Sequence, residues 1–315
     1  MRTEGKPAVL VLGATSMVGS DFVEHGGYPV TAAGRVDPTQ RGLAVRGFRR
    51  VDLAQPEAVE ELVRSAPEAT IVNFSARTDV DGVEKERPQT DPPSGGAWKV
   101  NALAPEAIAR ATRAGGKGFL QVSTDFVFDG TSGPYDEDAA RSPLTGRLSW
   151  YGWTKGEGER RALEQDPATT IVRISYPYRT GFPAKLDFAR WMLARRREGT
   201  LPALYGDQQI TPTWIPDLTA VLASLLRQPR QGIFHVASPA ATTPWEFATE
   251  LIARQEGARP SLVRSELGSA PATPGRAPRP LRGGLRSRRA EELGVQLTPW
   301  RKGVERLVPT SGGRP

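Results

Sequence analysis

A tyrosine and a lysine stand four residues apart in Tyr151-Gly-Trp-Thr-Lys155, a spacing that stacks both side chains on one face of a helix. A free phenol titrates near ~10 and exchanges protons poorly at neutral pH. An ammonium group beside it favours the phenolate and lowers that value. The pair is therefore a candidate general acid–base, of the kind that proton delivery to a carbonyl oxygen requires. The same spacing also occurs in helices where the ring is merely half-buried and the amine solvated. Its weight here comes from what precedes it.

Near the N-terminus, Gly13-Ala-Thr-Ser-Met-Val-Gly19 follows an apolar run and opens a helical pattern. In that context a glycine turn can hold a dinucleotide diphosphate on backbone N–H groups and the helix dipole. Gly13, Thr15, Ser16, Met17, Val18 and Gly19 are the candidate residues, with Ser16 where such turns usually carry a middle glycine. Arg35 closes the second strand pattern, where an acid would select an unphosphorylated ribose and an arginine suits a 2′-phosphate. NADP is the favoured cofactor; Asp37, two residues on, keeps NAD as the alternative. Asp52 and Leu53 end the third strand pattern and should lie at the adenine edge.

The elements that must position these groups alternate in type. Strand patterns cover residues 8–12, 28–33, 48–51, 69–74, 118–122, 170–174 and 232–237; helical patterns cover 56–65, 98–114, 151–164, 186–197, 217–227 and 244–255. Such alternation predicts an α/β fold, a doubly wound parallel sheet of Rossmann type with a smaller C-terminal substrate-binding domain. The expected division is residues 1–175 for dinucleotide binding, with returns from 210–237, then 176–308 mainly for substrate, and a flexible tail at 309–315. Residues 91–96 read as a flexible insertion, and 268–284, rich in Pro, Gly and Arg, as a crossing or a mobile loop.

Composition narrows the classes. The 315 residues are 38% hydrophobic and 24% charged, as in a soluble globular protein, with no membrane-length apolar run and no signal-peptide pattern. Cytoplasm is the expected location. No cysteine is present, which removes disulfides, thiolate nucleophiles and cysteine metal sites. The net charge of +7 comes from scattered arginines without a nucleic-acid-binding motif, so no nucleic-acid partner is expected, and the excess suits an anionic small molecule. His25 and His235 are the only histidines; a helix end and a strand interior account for them, and no metal site is expected.

Ser123-Thr-Asp-Phe-Val-Phe-Asp-Gly130, followed by the Tyr151/Lys155 pair, closely resembles the dTDP-4-dehydrorhamnose reductases, which are extended short-chain dehydrogenases/reductases. Matching pieces follow in family order, among them Asn101-Ala, Asp207-Gln208, Thr211-Pro-Thr213 and Arg279-Pro280. The resemblance implies hydride transfer from a nicotinamide to C4 of a 4-keto-6-deoxy nucleotide sugar. Thr124 would bond the ketone oxygen, Tyr151 deliver the proton, and Lys155 hold the nicotinamide ribose while lowering the tyrosine's pKa. Ser75, Ala76, Arg77 and Asn101 would flank the nicotinamide end; Asp125, Phe126, Trp153, Gln208, Thr213 and Arg279 would meet substrate. A homodimer is expected at the family level. Phe74-Ser75, Arg77 and Gly283 depart from the usual pattern. Phe126 stands where a dehydratase needs a second acid, which disfavours dehydration. Two alternatives stay open: a nucleotide-sugar epimerase, and a non-catalytic NADP-binding regulatory subunit like the methionine adenosyltransferase β subunit.

Overall fold

A computed structural model describes residues 5–87, 93–181, 186–269 and 276–309. Seven strands form one wholly parallel sheet in the order β3-β2-β1-β4-β5-β6-β8. They are β1 (Val9–Leu12), β2 (Val30–Gly34), β3 (Gly47–Arg50), β4 (Thr70–Asn73), β5 (Gly118–Thr124), β6 (Thr170–Ile174) and β8 (Gly232–Val236). A two-residue pairing of β7 (Leu204–Tyr205) with β9 (Arg264–Ser265) makes a second small sheet. Strand β1 is buried at every position because helices cover both faces, so it reads as an unbroken apolar run rather than an alternation.

Two cores lie on opposite faces of the large sheet. Val9, Val11, Val72 and Val122 point to one, closed by Phe22, Leu218 and Leu222; Leu10, Leu12 and Ile71 point to the other, closed by Val59, Val63 and Ile108. Each fully buried Leu or Ile contributes roughly 1.5–3 kcal/mol. Ala290 and Leu297 return to the first of these cores, so the chain beyond residue 237 also supports the nucleotide-binding sheet. A third core, around Tyr178, Met192, Trp214, Phe247, Leu251 and Trp300, belongs to the C-terminal half.

The helix read over 98–114 is interrupted. Residues Gly96–Trp98 and Ala104–Ala114 are α-helical, but Lys99–Leu103 between them are a π-helix. The wider turn places Asn101 inward, where its amide bonds the backbone N of Arg77 at 2.8 Å, the Arg77 carbonyl at 3.1 Å and Thr154 Oγ1 at 3.1 Å. Of the segment read as a flexible insertion, 91 and 92 lie outside the described residues, as do 270–275 of the crossing and 310–315 of the tail. Residues 280–284 form an ordered strap: Gln209 N donates to Leu281 O at 2.8 Å, and Arg282 N to Gly130 O at 2.8 Å.

The glycine turn is tight. Gly13 has φ +80°, and a Cβ on Gly19 would lie 2.3 Å from the Gly13 carbonyl oxygen, a backbone atom that cannot yield without moving the turn. Ser16 caps the first helix, α1 (Met17–His25), accepting from Gly19 N at 3.0 Å. Gly19→Ala is expected to lower dinucleotide affinity at least about tenfold, which is about 1.4 kcal/mol, while the fold survives. Fluorescence titration checks this, and unchanged affinity would show that the turn tolerates the shift.

Candidate functional site

A cleft of about 910 Å³ opens at the carboxyl ends of β1, β2, β4, β5 and β6, around the place between β1 and β4 where the strand order reverses and open α/β sheets bind ligands. Gly13, Thr15, Ser16, Met17 and Val18 line it at the first turn; Arg35, Asp52 and Leu53 line the far end of β2 and β3; Ser75, Ala76 and Arg77 line the end of β4. Thr124, Asp125, Phe126, Tyr151 and Lys155 line it at β5 and the following helix. One continuous concavity thus joins the glycine turn to the proposed proton donor.

The second helix of the site, α2 (Trp150–Gln165), begins at a Ser149 cap whose Oγ accepts from Gly152 N at 3.1 Å. A Cβ at position 152 would lie 1.9 Å from the Phe126 carbonyl oxygen, so only glycine lets the helix press against the loop after β5. That contact sets Tyr151 edge-on to Phe126, with ring centroids 5.7 Å apart. Tyr151 is 8% and Lys155 4% exposed.

Burial pushes the Tyr151 phenol well above its ordinary value; the Thr124 hydroxyl opposes the shift by hydrogen bonding, and the Asp125 charge adds to it. Burial also lowers Lys155 to about 8, with the Glu159 carboxylate opposing. The expectation that Lys155 acidifies the phenol is therefore corrected. The Lys155 ammonium donates to the Val122 carbonyl at 2.9 Å, and desolvation dominates the phenol. The phenol is therefore protonated at neutral pH, the form in which it can donate.

Asp125 is 2% exposed and pushed up to about 6, mainly by burial, against hydrogen bonds from Ser175 and Thr124. Ser175 Oγ donates to Asp125 Oδ2 at 2.7 Å. Unfolded, the carboxyl titrates near 3.8, so the folded chain holds more protons between about pH 4 and 6 and loses stability as pH rises through that window. Asp125→Asn removes this titration. The stability of the variant relative to the natural chain should therefore climb from pH 4 to pH 6 and level off above. Urea unfolding at a series of pH values measures it; a flat difference would place Asp125 in contact with water.

Several expected site residues lie behind the cleft. Asn101 does not line it but holds the Arg77 backbone. Gly19 likewise packs against the turn without lining the cleft. Thr213 Oγ1 accepts from Ser175 N at 2.9 Å and donates to Val236 O at 2.6 Å, bracing the residue that bonds Asp125. Gln208 Nε2 donates to Tyr176 Oη at 3.0 Å and to Pro280 O at 3.2 Å. Trp153, expected to touch substrate, stacks between Trp150 (4.5 Å) and Trp98 (5.2 Å) instead and is not among the lining residues. Its indole faces the neighbouring helix because it lies two positions beyond Tyr151, off the cleft face. Arg279 lines the cleft and pairs with Asp81 at 3.0 Å.

The sequence reading passed over Tyr176. It lines the cleft, has a positive φ of 41°, and packs on Phe126 and Phe188. A non-glycine residue in that region is strained by roughly 1–2 kcal/mol. Its place just past β6, at the same sheet edge as Thr124, was the available signal. His235 is fully buried and held neutral, lowered to about 3 chiefly by burial and then by Arg173.

The family model described as the RmlD substrate binding domain matches residues 7–311. A dTDP-4-dehydrorhamnose reductase of Streptomyces griseus is 33% identical, over 98% of this chain and 95% of that one. The chain belongs to the dTDP-4-dehydrorhamnose reductase family. Another relative, a probable dTDP-4,6-dihydroxy-2-methyloxan-3-one 4-ketoreductase of Streptomyces antibioticus, is 30% identical over 95% of this chain and 94% of its own. The fold agrees with that of a Bacillus anthracis dTDP-4-dehydrorhamnose reductase solved in complex with NADP: TM-score 0.75, 24% identity, 98% of both chains covered. The family's Ser-Thr-Asp block and Tyr/Lys pair fall on the cleft residues described above.

Proposed function

We propose that this protein reduces the 4-keto group of a 4-keto-6-deoxy nucleotide sugar, with NADPH as the favoured reductant. The observation that carries the reading is the shared cleft: Thr124, Tyr151 and Lys155 line the same concavity as the glycine turn. Two relatives named for 4-keto reduction of dTDP-linked substrates, and an NADP-bound structural neighbour, support the chemistry.

The residues present fit a dinucleotide. Gly13 to Val18 offer backbone donors at a helix start, Arg35 and Leu53 flank the adenosine end, and Ser75 to Arg77 flank the other. A bound nicotinamide supplies the hydride. On the protein side, the Thr124 hydroxyl orients the ketone oxygen and the protonated Tyr151 phenol gives it the proton as negative charge develops there. Lys155, mostly ammonium at pH 7 and held on the Val122 carbonyl at the cleft wall, donates to a ribose hydroxyl of the dinucleotide. Asp125, held by Ser175, is placed to accept a hydrogen bond from a sugar hydroxyl.

Arg279 also lines a second concavity of about 740 Å³, with Arg147, Arg276, Arg282 and Tyr205. Four guanidinium groups and an aromatic ring are the chemistry that a nucleoside diphosphate requires, and we assign the nucleotide half of the substrate to this groove. The test is cofactor oxidation across a panel of 4-keto nucleotide sugars with NADPH and NADH in parallel. Stoichiometric oxidation with a 4-keto-6-deoxy substrate supports reduction. Conversion of a sugar without net oxidation would make the protein an epimerase.

A further inference from the structure

We propose that Arg41 joins Arg35 in a two-arginine clamp for a phosphomonoester on the adenosine ribose, and that this clamp sets the preference for a 2′-phosphorylated dinucleotide. The inference rests on the cofactor reading above and adds a residue and a device to it. Both arginines line the same end of the cleft as Ala33, Gly34 and Pro38. Many of the described arginines are ion-paired, whereas among the described residues neither of these guanidinium groups has a hydrogen-bond or salt-bridge partner. Unpaired cations on a cleft wall are available to a ligand, and the planar fork of arginine matches phosphate oxygens in pairs.

The backbone between them is built to hold this arrangement. Arg50 Nη1 donates to the Arg35 carbonyl at 3.0 Å, fixing the end of β2. Pro38–Arg41 form a 3₁₀ turn closed by Gly42 at φ 74°, which returns Arg41 to the cleft wall. The acid that would argue for an unphosphorylated ribose, Asp37, is spent on that turn. Its Oδ1 accepts from Thr39 N at 2.9 Å and Thr39 Oγ1 at 2.8 Å, and it is not among the lining residues. Asp52 does line this end, but its Oδ1 accepts from Ala54 N at 3.0 Å, leaving two guanidinium groups to one carboxylate.

The test is equilibrium titration of the full chain with 2′,5′-ADP, 5′-AMP, NADPH and NADH, comparing the natural protein with Arg41→Met and Arg41→Lys. Arg41 is exposed on a turn, and unchanged thermal unfolding verifies that the variants fold. Arg41→Met should weaken 2′,5′-ADP and NADPH about 10- to 100-fold while 5′-AMP and NADH stay within about twofold. Arg41→Lys should recover part of the loss. An unchanged affinity for 2′,5′-ADP in Arg41→Met, or equal losses for NADPH and NADH, would overturn the clamp and leave the cofactor reading standing. Failure of the natural chain to bind either dinucleotide would overturn the cofactor reading itself.

Discussion

Tyr151→Phe should lower turnover by about 10²- to 10⁴-fold, the usual worth of a positioned general acid, with dinucleotide affinity changed by no more than about twofold. The substitution removes one oxygen and keeps the ring that packs edge-on to Phe126, so the helix and the cleft wall persist. What disappears is the phenol hydroxyl that shares a hydrogen bond with the Thr124 hydroxyl. A ketone receiving hydride without a donor must build its charge against water alone, and burial of this region makes that costly. Steady-state kinetics beside a binding titration separate the two effects. Turnover within about threefold of the natural chain would remove Tyr151 from the proposed role.

The largest stability effect should follow Arg173→Met. Arg173 and Glu159 are 0% and 1% exposed and meet through two bonds, Nε to Oε1 at 3.0 Å and Nη2 to Oε2 at 2.7 Å. Arg173 also lies over the Phe128 ring and 3.4 Å from His235 Nε2. Removing the cation leaves a buried carboxylate, one helical turn below Lys155, with only the more distant Arg141 Nε at 4.0 Å as an ion-pair partner, which costs about 3–5 kcal/mol. The double variant Arg173→Met with Glu159→Met should lose less than Arg173→Met alone, because the buried carboxylate is removed with its main partner. Urea unfolding of the three chains measures this. A double variant as unstable as the single one would show that packing, not the stranded charge, sets the cost.

How far the sequence could be read depends on whether a feature is local. Strand and helix periods are local, and the apolar runs of β1 and β6 or the helix at Pro56–Ser65 are legible residue by residue. The glycine turn, Thr124 and Tyr151 are legible for the same reason: each lies at a strand or helix end whose partner in the cleft follows from a parallel sheet. Features that depend on a second element are not. The π-turn at Lys99–Leu103 is decided by where the Asn101 amide finds Arg77 and Thr154, and Trp153 by the two tryptophans that sandwich it. Thr213 and Gln208 sit in motif-like positions yet act through Ser175 and Tyr176. The charge state of the Tyr/Lys pair is the clearest case: spacing alone implies an acidified phenol, but burial reverses the sign.

The central claim, that this cleft passes hydride to a sugar ketone protonated from Tyr151, is tested most directly by label transfer. NADPH carrying deuterium on the transferring face of its nicotinamide C4 is incubated with a dTDP-linked 4-keto-6-deoxy sugar and the natural chain, and the product is read by proton NMR. The account predicts deuterium at the sugar C4, one label per NADPH oxidised, and almost none with Tyr151→Phe over the same time. Product with hydrogen at C4 drawn from solvent, or NADPH left unoxidised while the sugar is altered, would contradict it.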